Sequence, residues 1–248
     1  MTDSLGYRMK FAVVAPSTNT SVQPEYENMR PRGVTNHFSR ISIPDTKVSD
    51  DDSFMTMLNN IREATMEAVD VSMSMEPGCV IMGMSAETFW DGAEGAERLH
   101  RRMVERTGGV PVIMGSTAVD AAIKAYGNIR KLGIITPYMP VGDNNVRKFF
   151  EDQGYEVVNL VGLKSPSPML IAHESKQKLK RAAIEVSEGV DAIIPCGTNL
   201  AFGEVAAAAE FWLEKPVIAI NTATYWHALR SMGINDQMEG FGRLLSQF

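Results

Sequence analysis

The stretch Lys10-Phe11-Ala12-Val13-Val14-Ala15-Pro16-Ser17 matches a second stretch, Lys131-Leu132-Gly133-Ile134-Ile135-Thr136-Pro137-Tyr138, position by position in residue character. Each copy begins with a lysine, continues with an apolar run and has a proline near its end. This pattern is typical of a strand that is buried on both faces of a parallel sheet. Two further matched pairs follow in the same order: Val80–Ser85 with Ile193–Thr198, and Pro111–Ile113 with Pro216–Ile218. Because the order is kept, the sequence predicts two copies of one α/β lobe.

Short apolar runs alternate along the chain with longer segments of helical periodicity. The predicted strands are 10–16, 34–43, 79–84, 110–114, 131–136, 156–161, 192–195 and 216–220. The predicted helices are 52–75, 93–106, 117–125, 141–153, 173–188, 204–213 and 222–232. This alternation predicts an α/β fold of two pseudo-symmetric lobes, each a mostly parallel sheet flanked by helices, with the active site in the cleft between them. We expect residues 1–115 plus 221–248 to form the N-terminal lobe and residues 116–220 the C-terminal lobe.

Composition excludes several classes of protein. The 248 residues are 44% hydrophobic and 22% charged, as in ordinary globular proteins. A net charge of −6 without a basic cluster makes nucleic acid an unexpected partner. The apolar runs are too short to span a membrane and residues 1–8 lack an export signal, so we expect a cytoplasmic protein with no membrane partner. The sequence does not indicate whether the chain forms a homo-oligomer.

Cofactor and metal motifs are absent from the sequence. The two cysteines form no CxxC pair, and no His-rich tract accompanies them, so neither a disulfide framework nor a metal site is expected. No GxGxxG motif, P-loop or GxSxG motif follows a predicted strand, which disfavours nucleotide-dependent and esterase chemistry. We therefore expect no cofactor.

Four loops follow predicted strands at the edge where parallel sheets bind ligands. They carry small, hydroxyl or amide side chains, and with the neighbouring residues they give the candidate substrate-binding set: Ser17, Thr18, Asn19, Gly83, Met84, Ser85, Tyr138, Gly197, Thr198 and Asn199. Hydroxyl, amide and backbone N–H donors gathered at one cleft suit a small carboxylate or dicarboxylate. The same donors can stabilise a developing enediolate.

Cys196 is the candidate catalytic residue. It lies at a predicted junction between strand and helix, where N–H groups and the helix dipole favour a thiolate. The repeat pairs Cys196 with Gly83, so only one lobe offers a thiol, which suits one delivered proton or one nucleophilic attack. Cys79 begins its strand, at the opposite end from the cleft, and is expected to be inert. His227 is expected to be a packed or capping histidine.

Four motifs together resemble the Asp/Glu racemase superfamily, and within it the maleate cis-trans isomerases and arylmalonate decarboxylases. They are Pro16–Thr20, Thr136–Tyr138, Cys196–Asn199 and Asn221–Arg230, and the resemblance runs from Lys10 to Leu245. It implies a two-lobed α/β fold and cofactor-independent chemistry next to a carboxylate.

The resemblance also bears on individual residues. Family isomerases and racemases usually carry a cysteine in each lobe, whereas Gly83 with a single Cys196 resembles arylmalonate decarboxylase. Ser85 matches a hydroxyl of that enzyme's oxyanion pocket, although Met84 replaces a threonine there. Asn19 is similar to the carboxylate-binding asparagine of the maleate isomerases.

These features lead us to expect a cofactor-independent decarboxylase of a malonate-like or related dicarboxylic acid, with Cys196 protonating an enediolate intermediate. The alternative is a maleate-type cis-trans isomerase or a racemase of a small dicarboxylate, with Cys196 as nucleophile or base. A second alternative is a non-catalytic carboxylate-binding protein.

Overall fold

The computed structural model describes residues 3–248 and contains two separate parallel sheets flanked by helices, which confirms the predicted two-lobed α/β fold. The first sheet has the order β2-β1-β3-β4, formed by β1 (Met9–Pro16), β2 (Val34–Ile41), β3 (Cys79–Met82) and β4 (Val112–Ile113). The second has the order β6-β5-β7, formed by β5 (Lys131–Thr136), β6 (Glu156–Gly162) and β7 (Ala192–Pro195).

The two repeated stretches become the two central strands. In the first sheet β1 pairs with β2 and β3, and in the second β5 pairs with β6 and β7. Their apolar runs, Phe11–Ala15 and Leu132–Thr136, are buried throughout. The repeat seen in the sequence is therefore a repeat of sheet topology, and it places the ends of β1, β3, β5 and β7 in equivalent positions.

Helices cover these sheets. Their bounds are α1 (Val22–Asn28), α2 (Asp51–Met73), α3 (Gly92–Arg106), α4 (Gly115–Tyr126), α5 (Pro140–Asp152), α6 (Lys176–Glu185), α7 (Gly203–Leu213), α8 (Ile220–Ser231) and α9 (Arg243–Gln247). The long helix α2 begins in a capping box, in which the Asp50 carboxylate accepts the Ser53 N–H and the Ser53 hydroxyl accepts the Asp50 N–H. Such reciprocal bonds satisfy donors that the first helical turn leaves free.

One predicted strand was wrong, and one helix was missed. The expected strand 216–220 is reduced to one parallel bridge between Val217 and Ile193, because the chain turns into α8 at Ile220. Helix α1 was not predicted. It contains Pro24, but this proline lies in the first turn, where the missing N–H has no helical partner to lose.

The lobe boundaries stay a prediction. Helix α8 packs against α1 and β3, which agrees with placing 221–248 in the N-terminal lobe, and it also packs against α4. One large apolar cluster joins the first sheet to α4, α5 and α8, while a smaller cluster lies beside the second sheet. The lobes therefore share much of one core.

Within residues 3–248 no helix is long and apolar enough to cross a membrane. The same residues contain no group of three or more His, Cys, Asp or Glu side chains that could hold a metal ion. Cytoplasmic location stays a prediction.

Candidate active site

The loops that follow β1, β3, β5 and β7 meet where the lobes face each other. The Ser85 hydroxyl lies 2.5 Å from the Tyr138 hydroxyl, and it accepts a hydrogen bond from the Thr198 N–H at 3.1 Å. The Asn19 amide reaches the Thr198 hydroxyl at 3.4 Å. Thus one residue from each of the four loops takes part in a continuous set of polar contacts.

A pocket with a cavity volume of about 60 Å³ lies where these loops meet. Eight of the predicted substrate-binding residues line it: Thr18, Asn19, Met84, Ser85, Tyr138, Gly197, Thr198 and Asn199. The rest of its wall is mostly apolar: Pro16, Ile43, Met57, Ile61, Ala86, Glu87, Pro137, Pro168 and Ile171. A polar end next to an apolar wall suits an organic acid held by its carboxylate.

Hydrogen positions at the polar end follow from counting donors. The Tyr138 hydroxyl donates to the Cys196 carbonyl at 3.1 Å, so the Ser85 hydroxyl must donate to Tyr138. Ser85 in turn accepts from the Thr198 N–H. Each hydroxyl therefore donates once and accepts once. Tyr138 is 5% exposed, and its burial raises its pKa above the ordinary value, so the phenol stays protonated.

Two buried asparagines organise the loops on either side of the cleft. The Asn19 carboxamide oxygen accepts the N–H groups of Ser21 and Val22, which begin α1. The Asn199 carboxamide oxygen accepts the N–H groups of Thr20 and Ser21 from the other lobe. Asn199 therefore joins the C-terminal lobe to the loop after β1, and the Asn19 amide nitrogen still faces the pocket lining.

Three predicted site residues do not line the pocket, and two of them were expected to bind substrate. The Ser17 hydroxyl donates to the Ile43 carbonyl at 3.0 Å and accepts the Ile43 N–H at 3.1 Å, so it is bonded to the backbone. A Cβ at Gly83 would lie 3.0 Å from the Ala15 Cβ, so a side chain there would point first at β1. The roles of Ser17 and Gly83 in substrate binding stay predictions, and the geometry gives them no direct contact with the pocket.

The third is Cys196, which is fully buried, directly before the pocket residue Gly197, with its thiol 3.6 Å from the Ile194 carbonyl. The sulfur thus lies behind the pocket wall rather than on it, contrary to the expectation of an open thiol. Burial raises the pKa of Cys196 well above its usual range, and the carboxylate of Asp143 raises it further. The environment therefore favours the thiol form. Its catalytic role stays a prediction.

Cys79 and His227 lie outside this site. Cys79 begins β3 and is fully buried, and burial raises its pKa to about 12. His227 is packed beside Trp226, and burial lowers its pKa. Neither residue lines the pocket.

Sequence reasoning missed a buried carboxyl that supports the loop after β7. Asn221 donates one amide hydrogen to the Thr198 carbonyl at 2.9 Å and another to Glu25 at 2.6 Å. Glu25 also accepts the Gly203 N–H that begins α7, and burial raises its pKa to about 6. Asn221 begins one of the four family motifs, but nothing in the sequence linked it to Glu25, which lies 196 positions earlier.

The charge around the pocket is unusual for a site that binds an acid. Among its lining residues there is no Lys, Arg or His, and the charged member is Glu87, paired with Arg62 at 2.7 Å. Recognition of an anion must therefore rely on neutral N–H, O–H and amide donors.

A two-lobed α/β fold with such donors at the lobe boundary defines a cofactor-independent enzyme of the Asp/Glu racemase superfamily, either a carboxy-lyase or an isomerase. The chain belongs to the arylmalonate decarboxylase family, whose profile matches residues 12–245. The resemblance inferred from the motifs is thereby confirmed, and the non-catalytic alternative is set aside.

The proteins similar to this chain include both maleate isomerases and arylmalonate decarboxylases. A maleate isomerase of Pseudomonas putida is 22% identical over 242 residues, 94% of this chain and 95% of that protein. The maleate cis-trans isomerase of Nocardia farcinica superposes with a TM-score of 0.85 at 20% identity, covering 96% of this chain and 98% of that one. An arylmalonate decarboxylase superposes with a TM-score of 0.73 at 19% identity, covering 95% and 98%.

Proposed function

We propose that this enzyme catalyses the cis-trans isomerisation of a small dicarboxylate of the maleate type. The observation that carries the proposal is the meeting of four donor-rich loops beside Cys196, in a chain that aligns along nearly its whole length with maleate isomerases. These relatives favour the isomerase alternative over the decarboxylase expected from the sequence.

The proposed reaction needs one sulfur. The Cys196 thiol gives its proton to a substrate carboxylate, and the sulfur forms a bond to one alkene carbon. The alkene electron pair moves to the neighbouring carbon and its carboxylate, giving an enediolate. The Asn19 amide donates a hydrogen bond to this enediolate, and so does the Tyr138 hydroxyl once its hydrogen leaves the Cys196 carbonyl, while Ser85 donates to the Tyr138 oxygen. Rotation about the new single bond is followed by re-formation of the alkene, departure of the sulfur and return of its proton. In a cysteine-to-serine variant of the Nocardia farcinica enzyme a succinylcysteine intermediate is covalently bound, which supports addition of a thiol in that relative, on a cysteine other than the one replaced.

The test is conversion of maleate to fumarate by the full-length protein, followed by proton NMR. We expect turnover in the native chain and in Cys79→Ala, and none in Cys196→Ala. Cys79 is a matched control because it too is a fully buried cysteine with a raised pKa. Unchanged turnover in Cys196→Ala, or no conversion by the native chain, would contradict the proposal.

A second candidate is decarboxylation of a substituted malonate, and Gly83 favours it. With a glycine at the repeat position of Cys196, the two equivalent positions of the repeat supply one thiol between them, and the raised pKa of that thiol suits a proton donor. The apolar wall from Met57 and Ile61 would accommodate an apolar substituent. Loss of carbon dioxide would leave an enediolate, to which Cys196 delivers a proton.

Deuterated water separates the two candidates. Decarboxylation places one solvent deuteron on the α-carbon of the product, whereas addition and elimination of the thiol leave fumarate unlabelled. We expect unlabelled fumarate from maleate. Deuterated monoacid from substituted malonates, with no reaction of maleate, would select the second candidate.

A further inference from the structure

A buried carboxyl that plays no part in the proposed reaction lies behind the loop after β5. Asp143 is on the first turn of α5 and is 9% exposed. Its carboxylate accepts a hydrogen bond from the Thr136 hydroxyl, and the Thr136 oxygen accepts the Tyr138 N–H at 3.1 Å. Because the single hydroxyl hydrogen of Thr136 goes to Asp143, a lone pair of the same oxygen is directed at Tyr138.

Gly162 makes room for this carboxyl. A Cβ built on Gly162, the last residue of β6, would overlap the Asp143 Oδ2 atom and lie 2.9 Å from its Cγ atom. The backbone of Gly162 does not have the positive φ that would by itself favour glycine. The absence of a side chain is therefore explained by the carboxyl, which is packed into the end of the second sheet.

We propose that Asp143 is a positioning residue, which fixes the backbone of Tyr138 through the Thr136 hydroxyl and so holds the Tyr138 hydroxyl between Ser85 and Cys196. This inference rests on the proposed function in taking Tyr138 and Cys196 as parts of the reaction site. Asp143 itself does not line the pocket. It acts through Thr136.

The charge of Asp143 has a second effect on the same residues. It raises the pKa of the Cys196 thiol and of the Tyr138 phenol, beyond what burial does, and so keeps both protonated. Burial raises the pKa of Asp143 to about 6, with Lys164 opposing and Asp51 adding to that rise. Above about pH 6 the carboxylate is charged, and the thiol form of Cys196 is favoured.

Kinetics of four variants test the positioning role. We expect Thr136→Val and Asp143→Ala to lower kcat about tenfold, the effect of one lost hydrogen bond. Thr136→Ser retains the hydroxyl and should restore kcat. Asp143→Asn retains an oxygen that can accept from Thr136 but removes the charge, so its kcat should stay high while the basic limb of its pH profile moves to lower pH. Asp120→Asn, which removes a mostly covered carboxyl bonded to Tyr155, serves as the control and should match the native chain.

Alkylation by iodoacetamide, mapped to each cysteine by mass spectrometry, tests the same proposal without substrate. Cys196 should react faster in Asp143→Asn, which has more thiolate, and in Thr136→Val, in which Tyr138 is less firmly held. Cys79 is the internal reference for general opening of the fold and should react equally in all variants.

The outcomes separate this inference from the proposed function. If neither maleate nor malonates are turned over but Cys196 alkylation changes as expected, the proposed function fails and the positioning role of Asp143 stands. Equal alkylation of Cys196 in Thr136→Val and the native chain, or native kcat in Thr136→Val, overturns the positioning role.

Discussion

Replacement of Tyr138 by phenylalanine tests the chain of hydroxyl groups at the lobe boundary. The missing oxygen leaves the Ser85 hydroxyl and the Cys196 carbonyl, both buried, without the partners they have at 2.5 and 3.1 Å. An unpaired buried group costs about 1.5 kcal/mol, so two such groups lower the free energy of unfolding by about 3 kcal/mol. For a chain of this size that corresponds to a fall in Tm of roughly 6 to 12 °C.

Tyr26→Phe is the matched control. Tyr26 is fully buried like Tyr138, but its hydroxyl, although near Thr224, makes no hydrogen bond of normal geometry within the described residues. Removing it should leave the free energy of unfolding unchanged or raise it. Urea denaturation followed by tryptophan fluorescence, with equal m values required, measures both variants. An equal loss in the two variants, or a loss below about 0.5 kcal/mol in Tyr138→Phe, would refute the bonding scheme.

Three other substitutions have defined outcomes. Gly83→Cys brings a Cβ to 3.0 Å from the Cβ of Ala15 and should lower the free energy of unfolding by about 1 to 3 kcal/mol. If racemisation lacks only a second thiol, the variant should also gain racemase activity. A variant as stable as the native chain would show that the new side chain does not press on β1. Glu25 has a folded-state pKa of about 6 against an ordinary 4.5, so between these pH values the folded protein holds a proton that the unfolded chain releases. The free energy of unfolding therefore falls as pH rises from about 4.5 to about 6, and Glu25→Gln should flatten this dependence in denaturation measured at several pH values. An unchanged slope would speak against burial of the carboxyl. Asn199→Ala removes hydrogen bonds that join the lobes and should cost about 3 kcal/mol or more, against less than about 0.5 kcal/mol for the exposed Asn59→Ala; similar costs in urea titrations would count against the bridging role.

The sheets could be predicted because their strands are apolar on both faces. The run Phe11–Ala15 and its counterpart Leu132–Thr136 are apolar on both faces of the strand, apart from the terminal Thr136. Neither face is suited to contact with water, so the sequence itself indicates central strands buried on both sides. Helix α1 was missed because Pro24 reads as a helix breaker unless the start of the helix is known. Local pattern identifies the strands with the exception of 216–220, and helix starts depend on context that pattern does not give.

The site was predictable to the level of loops and no further. Strand order places Ser85, Tyr138 and Thr198 at one edge, and the structure brings them into contact. The direction of the Cys196 sulfur depends on the backbone just beyond β7, where the alternation of strand side chains ends, so periodicity could not show that it faces the Ile194 carbonyl. Met57 has the spacing of a helix core residue, and only tertiary packing places it in the pocket wall.

In the proposed reaction, the hydroxyl of Tyr138 would link the binding of a carboxylate to the thiol behind the pocket. Tyr138 has one hydroxyl hydrogen, and it is directed at the Cys196 carbonyl, so a carboxylate that takes this hydrogen must compete with that carbonyl. Binding of the acid would then free the backbone that carries the enclosed thiol, which links recognition to access of the sulfur. Tyr138→Phe reproduces the freed carbonyl without a ligand, and in this variant Cys196 should be alkylated by iodoacetamide faster than in the native chain, with Cys79 unchanged. If Cys196 labels at the native rate in Tyr138→Phe, the hydroxyl does not restrain the thiol, and recognition and access are independent.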